Sequence, residues 1–277
     1  MSKKDSRREL PPVPEALAAS AVDAHTHLDA CGAKTAEDVR ELLDRAQSAG
    51  VGRVVTVADD LDSARWAVQA ATWDERVFAA VALHPTRTKD FGPDDKAALE
   101  ELVTHPRVVA VGETGLDYYW DYSPPEPQQE AFRWHIDLAK RTGKPLMIHD
   151  REAHDDILRI LDEEGAPETV VFHCFSGDAE FAKACTAKGH VLSFAGTATF
   201  RNAKSLRAAA ETVPLEQMLV ETDAPFLTPH PFRGRPNQPY CVNYTLRDLA
   251  ELRGMNVDEL AVATAATAER VFGLEQG

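Results

Sequence analysis

Eight short runs of β-branched and apolar residues, each followed by a longer stretch of helical periodicity, succeed one another between residues 22 and 223. The runs occupy 22–27, 53–58, 77–84, 108–113, 145–149, 169–173, 191–194 and 218–223. Between them, residues 36–49 place Val39, Leu42, Leu43 and Ala46 on one stripe, and residues 128–142 do the same with Phe132, Ile136 and Ala139. Gly50, Gly143 and Gly189 stand where such helices stop, because glycine takes the left-handed cap conformation at no steric cost. Strands that alternate with helices pair in parallel through helical crossovers. Eight such units predict a (β/α)8 TIM barrel, an α/β fold whose functional side chains gather where the strands end.

No composition shift, long Ser/Gly linker or low-complexity tract interrupts residues 21–277, so a single barrel domain is expected there. Its 44% of hydrophobic residues is enough for a sizeable core. Residues 1–20 are polar, charged and proline-containing and read as a flexible leader without the apolar core of a secretory signal. No uninterrupted apolar stretch approaches the roughly 18 residues a transmembrane helix needs, so no membrane partner is expected. Cys31, Cys174, Cys185 and Cys241 form neither a C-x-x-C pair nor a dense framework, which fits a reduced, cytoplasmic setting. A formal charge of −15 argues against a whole-surface footprint for nucleic acid and leaves room for a local basic mouth.

Metal-ligand residue types collect at the expected strand ends. Strand one ends in His25-Thr26-His27, strand four in Gly112-Glu113-Thr114-Gly115, strand five in Ile148-His149-Asp150, strand six in Phe172-His173-Cys174 and strand eight in Glu221-Thr222-Asp223. Residues two apart on a strand face one side, so both imidazoles of the first pair can reach one ion. Alone, such a pair is as easily two ordinary strand-end histidines. Five strand ends that each supply a histidine or carboxylate would carry a heavy desolvation penalty unless a divalent ion offsets it. The donors exceed what one tetrahedral ion with an open position takes, so two ions are expected, with Glu113 bridging two histidine sets. Zinc, cobalt and manganese suit the nitrogen donors, and magnesium suits them less well. Cys174 is expected to point away from His173.

With Asp23-Ala24-His25-Thr26-His27, Leu83-His84-Pro85, the run from Gly112 to Asp117, residues 145–150, His173-Cys174-Phe175-Ser176-Gly177 and Glu221-Thr222-Asp223-Ala224-Pro225, the chain resembles the TatD family of metal-dependent deoxyribonucleases, within the amidohydrolase-type barrel group. The resemblance implies that His25, His27, Glu113 and Asp223 serve one metal while Glu113, His149 and His173 serve the second. It also implies cleavage of phosphodiester bonds of DNA, as a 3′–5′ exonuclease acting on single strands or 3′ ends through a two-metal-activated water. Asp223, a carboxylate touching both metal and water, is the expected general base.

Substrate contacts are sought among forked arginine donors, which suit phosphate oxygens. Arg87, Arg201, Arg233 and Arg235 lie just beyond strand ends. The last two follow the Asp223 strand in a loop, Phe232 to Asn237, that resembles the family's own; Arg233, Arg235, Asn237 and His84 are therefore the expected substrate contacts. Asp117 and Glu221 are expected to orient metal-bound histidines. Tyr118, Tyr119, Trp120 and Tyr122 share one loop and either stack on bases or pack that loop. His105, His135, His154 and His190 fall away from the mouth. The same cage on the same barrel could cleave an amide, a lactone or a phosphotriester; a glutamate on strand four, where many such enzymes use a modified lysine, and the arginine loop favour the phosphodiester. A silent barrel that only binds nucleic acid or protein would be expected to have lost ligands.

Overall fold

The computed structural model describes residues 9–274. Eight strands, β1 (Ala21–Thr26), β2 (Val51–Val57), β3 (Val77–Val81), β4 (Val108–Asp117), β5 (Leu146–Arg151), β6 (Val170–Phe172), β7 (Val191–Phe194) and β8 (Met218–Val220), pair in parallel in chain order. The helices are α1 (Ala36–Ser48), α2 (Leu61–Trp73), α3 (Pro93–Leu102), α4 (Pro125–Thr142), α5 (His154–Glu164), α6 (Ala179–Ala187), α7 (Lys204–Thr212), α8 (Val242–Arg253) and α9 (Val257–Phe272). The ring closes between first and last strands: Asp223 N donates to His25 O at 2.9 Å and His27 N to Ala224 O at 2.8 Å, with a parallel bridge at Thr26 and Ala224. The expected TIM barrel is the fold. Among the described residues no helix is long and apolar enough to cross a membrane.

Local chemistry sets the element ends. Thr35 and Asp60 each cap a helix by accepting from the third backbone N–H beyond them, which satisfies a donor that would otherwise be orphaned. Gly143 closes α4 with φ 66°, a conformation that favours glycine. The helix begins at Pro125, three residues before the expected 128, because proline's fixed φ suits a first turn. Strands β6 and β8 stop early, where Cys174 and Asp223 adopt φ 42° and 52° and turn the chain out of the ladder.

Two apolar layers surround the sheet. Inside the barrel, Val22, Ala24, Val55, Val57, Phe78, Ala80, Met147, Val171, Val191 and Leu219 form one cluster with Ala268, Val271 and Phe272 of α9. The last helix thus packs its apolar face on the interior, at the strands' amino-terminal side. Outside, a larger cluster joins the other strand faces to the surrounding helices. Polar chemistry is left to the opposite end, as the barrel architecture requires.

The expected flexible leader needs correcting where it is described. Leu17 is buried, donates to Ala49 O at 3.3 Å and lies so close to Gly50 that a Cβ there would sit 2.7 Å from its backbone nitrogen. Tyr244 Oη donates to Pro12 O at 2.7 Å, and Ala18 N to Asp258 Oδ1 at 2.8 Å. Carbonyls of an extended proline-rich segment are free acceptors, and Tyr244 of α8 and Tyr240 just before it donate to them. Residue 20 therefore marks no end of packing; residues 1–8 of the expected leader lie outside the described residues.

Candidate active site

Inward-facing positions of β5, β6 and β8 continue by simple alternation from the apolar layer to the site: Met147 leads to His149, Val171 to His173 and Leu219 to Glu221. Strands β1 and β4 do otherwise. Ala24 faces the interior, yet so do His25 and His27, because one extra residue lies between Asp23 and Thr26 relative to β2. A second irregularity, between Val111 and Thr114 of β4, carries Glu113 inward three residues after interior Ala110. Bulges re-aim side chains in this way.

The resulting cluster is dense. His25 Nε2 and His27 Nε2 lie 3.2 Å apart, each is 3.6 Å from Glu113 Oε1, and Asp223 Oδ1 is 3.7 and 3.3 Å from them. The other carboxylate oxygen, Glu113 Oε2, lies 2.6 Å from His173 Nε2 and 3.2 Å from His149 Nδ1, which are 3.4 Å from one another. Nitrogen ligands about 2.0–2.1 Å from a tetrahedral ion stand about 3.3–3.4 Å from each other. Spacings of 3.2–3.7 Å lie close to that requirement, the 2.6 Å contact of His173 with Glu113 being a direct hydrogen bond, and both histidine-plus-Glu113 sets could hold a metal ion.

Hydrogen bonds orient the ring atoms. His149 Nε2 faces Asp117 Oδ2 at 3.0 Å, His173 Nδ1 faces Glu221 Oε1 at 3.2 Å, and His27 Nδ1 donates to Val57 O at 2.9 Å. In each case one nitrogen is engaged away from the cluster and the other turned into it. Glu221 also accepts from Cys174 N at 2.9 Å. Beneath them Asp23 accepts from Thr222 N at 2.8 Å and Thr222 Oγ1 at 2.6 Å, tying β1 to the turn that presents Asp223.

Burial alone would neutralise these groups, but they do not lie alone. Burial raises the Glu113 carboxyl, yet the charges of His173 and His25 and hydrogen bonds from His149 and His173 hold it well below the ordinary range. Burial lowers His27, but hydrogen bonding to Asp223 and the charges of Asp59, Asp223 and Glu113 outweigh it and bring its pKa to about 10. His173 likewise lies well above its ordinary value, with burial opposed by Glu113 and Glu221. Buried carboxylates that stay ionised require positive charge beside them, which is the demand a divalent ion meets.

The cluster forms the floor of a cavity of about 840 Å³. Its walls place Arg87, Arg151 and Lys204 at the mouth, with Trp120, Tyr122 and Phe226. Four expectations change here. Arg233 and Arg235 are not among the lining residues; the Arg233 guanidinium lies 4.6 Å over Phe200, in the segment after β7, and that of Arg235 lies 5.3 Å over Phe232 of its own loop, so aromatic rings hold both. Arg201 also lies outside the lining. Asn237 is 1% exposed, its amide donating to Thr222 O at 3.0 Å and to Phe226 O, so it braces the loop and has no donor left for substrate. Cys174 faces the cavity, because its left-handed backbone breaks the alternation that would have turned it away. Burial holds its thiol well above the usual range, hence protonated.

His84 keeps its expected place, with Nε2 3.3 Å from His149 Nδ1. Arg151 was legible in the sequence, since it follows His149 by two on the same strand face. Lys204 was not, because only the path of the chain after β7 carries the start of α7 to the mouth. His135 and His190 are buried, and His154 pairs with Asp150 at 2.7 Å; none of these three, nor His105, lines the cavity.

A family model described as TatD related DNase matches residues 22–273. A Mycobacterium tuberculosis protein named as an uncharacterized metal-dependent hydrolase TatD is 59% identical over 258 residues, 91% of this chain and 98% of its own. A 3′-5′ ssDNA/RNA exonuclease TatD of Erwinia amylovora is 34% identical over 86% of this chain and 95% of its own length. The crystal structure of YJJV, a TatD homologue from Escherichia coli K12, superposes with a TM-score of 0.86 at 31% identity, over 91% of this chain and 98% of that one. With an aligned barrel and a match along nearly its whole length, the chain belongs to the TatD family of metal-dependent hydrolases.

Proposed function

We propose that this protein is a two-metal phosphodiesterase that removes nucleotides from the 3′ end of single-stranded DNA. One observation carries the reading: Glu113 gives one carboxylate oxygen to the His25, His27 and Asp223 set and the other to the His149 and His173 set. Divalent ions held there would acidify a water and neutralise charge on a phosphate.

The chain's own groups do the rest. Asp223 is held ionised because hydrogen bonding to His27 and nearby histidine charges outweigh its burial, so it can accept the proton of the attacking water. Thr86 N donates to His84 Nδ1 at 3.2 Å, which leaves the ring hydrogen on Nε2. That hydrogen faces His149 Nδ1 at 3.3 Å, and with His149 turned to an ion it would be free to donate to a phosphate oxygen or the departing hydroxyl. Arg87, Arg151 and Lys204 offer the cationic mouth that a chain of net charge −15 must localise to attract a polyanion. The polarity and the unpaired substrate draw support from the name of the Erwinia relative.

The test is turnover of 3′- and 5′-labelled single strands across zinc, manganese, cobalt and magnesium, with EDTA controls and with a lactone and a carboxylic ester alongside. Metal-dependent shortening from the 3′ end is expected. Hydrolysis of the lactone or ester with intact strands overturns the proposal.

A further inference from the structure

The aromatic loop after β4 has a construction that packing alone does not require. Trp120 and Tyr122 line the cavity while 44% and 63% exposed, and their rings lie within 20° of parallel with centroids 5.6 Å apart. Exposed aromatic area of this size is left uncovered at a solvated mouth, although burying it would stabilise the loop. The loop is nonetheless tied at its base by hydrogen bonds. Asp117 Oδ1 accepts from Tyr119 N and Trp120 N at 3.0 and 2.9 Å, and Gln128 clamps the base of the loop, accepting from Asp117 N at 2.8 Å and donating to the Asp117 and Ser123 carbonyls. The same Asp117 holds His149 with its other oxygen. One carboxylate thereby fixes the aromatic pair relative to the metal-binding cluster. The Arg151 guanidinium lies 4.0 Å over Tyr119 and 5.8 Å from the Trp120 ring centroid, which sets a cation beside the rings.

We propose that Trp120 and Tyr122 form a stacking platform for one unpaired nucleobase adjoining the scissile phosphate, a proposal that rests on the single-strand reading above. A flat ring accepts any base, so the platform selects for single strands and for the presence of a base without selecting its identity. A paired base cannot lie on it while stacked in a duplex. The rings touch no reacting atom, so their contribution is to affinity and to the placing of the strand end.

The experiment compares wild type, Trp120→Ala, Tyr122→Ala and Trp120→Phe on an oligothymidylate and on strands carrying one abasic residue at each of the last positions in turn. Trp120→Ala is expected to raise KM about tenfold to hundredfold, with kcat changed little and Trp120→Phe close to wild type. One abasic position should raise the wild-type KM as much, and there the alanine variants should add nothing further. Equal losses on normal and abasic strands, or no loss in either alanine variant, overturn the proposal. Tryptophan fluorescence with EDTA present separates it from the nuclease reading. Quenching by the oligothymidylate that disappears in Trp120→Phe supports the platform even if no strand is cleaved; its absence in the wild type overturns it.

Discussion

Asp223 combines three conditions in one side chain. Its backbone is left-handed at φ 52°, a conformation aspartate tolerates better than most residues; its carboxylate lies 3.3 Å from His27 Nε2; and its surroundings keep it ionised. Asp223→Asn retains size and polarity while removing the proton acceptor. Turnover should fall about 10²–10⁴-fold with far-ultraviolet circular dichroism unchanged, and near-normal turnover would exclude the residue as general base. His135 is a residue of another kind. Its Nδ1 donates to Ala131 O at 2.7 Å and its Nε2 accepts from Leu83 N at 3.3 Å, so only the neutral ring fits. Burial lowers its pKa to about 4 from the ordinary 6.5, against a smaller opposing effect of the Ala131 carbonyl. Between those values the unfolded chain binds a proton that the folded chain does not, so the stability His135 confers is present above pH 6.5 and is lost as pH falls toward 4. Unfolding free energies from urea titrations at pH 7 and pH 4.5 should therefore differ less in His135→Gln than in wild type, by roughly 2 kcal/mol; equal differences would refute the assignment.

Among the elements, the strands show where alternation is a sufficient guide and where it is not. On β5 and β6 it places His149, Arg151 and His173 correctly, because those ladders run without interruption to the site. On β1 and β4 an extra residue relative to the neighbouring strand reverses the facing of everything beyond it. The pairing of His25 with His27 was legible because they share whichever face the bulge gives them. That they share the face of Ala24, one residue away, was not. The loop after β8 departs from expectation for a related reason: nearness to Asp223 in sequence brings Arg233 and Arg235 near the strand end without turning them into the cavity. Helix α9 closes the opposite end of the barrel with Phe272, 4% exposed against the interior cluster. Phe272→Ala should cost about 3–5 kcal/mol in chemical denaturation while metal content per folded molecule stays unchanged, since the cavity it leaves lies at the far end from the cluster. A loss of metal without a loss of stability would contradict that separation.

For the molecule as a whole, the candidate centre is expected to be a stabilising element as well as a reactive one. Ionised carboxylates and crowded imidazoles from five different strand ends are joined by their demand for positive charge, and an ion bound only by the folded chain shifts the folding equilibrium by mass action. At ion concentrations about a hundredfold above the dissociation constant the effect is roughly 2.7 kcal/mol, so chelation should lower Tm by about 5–10 °C in scanning calorimetry. An unchanged Tm in protein confirmed to have lost its metal would show that the centre is not coupled to folding. The sequence by itself determined the barrel, its eight strands and the residue types at their ends, because hydrophobic period and helix-stop chemistry are local properties written in neighbouring residues. Only the tertiary structure decided which face each donor takes past a bulge, that Lys204 lines the mouth while Arg233 and Arg235 do not, and that Leu17 belongs to the core. Those outcomes depend on register between strands and on contacts between residues far apart in the chain, and no local pattern encodes them.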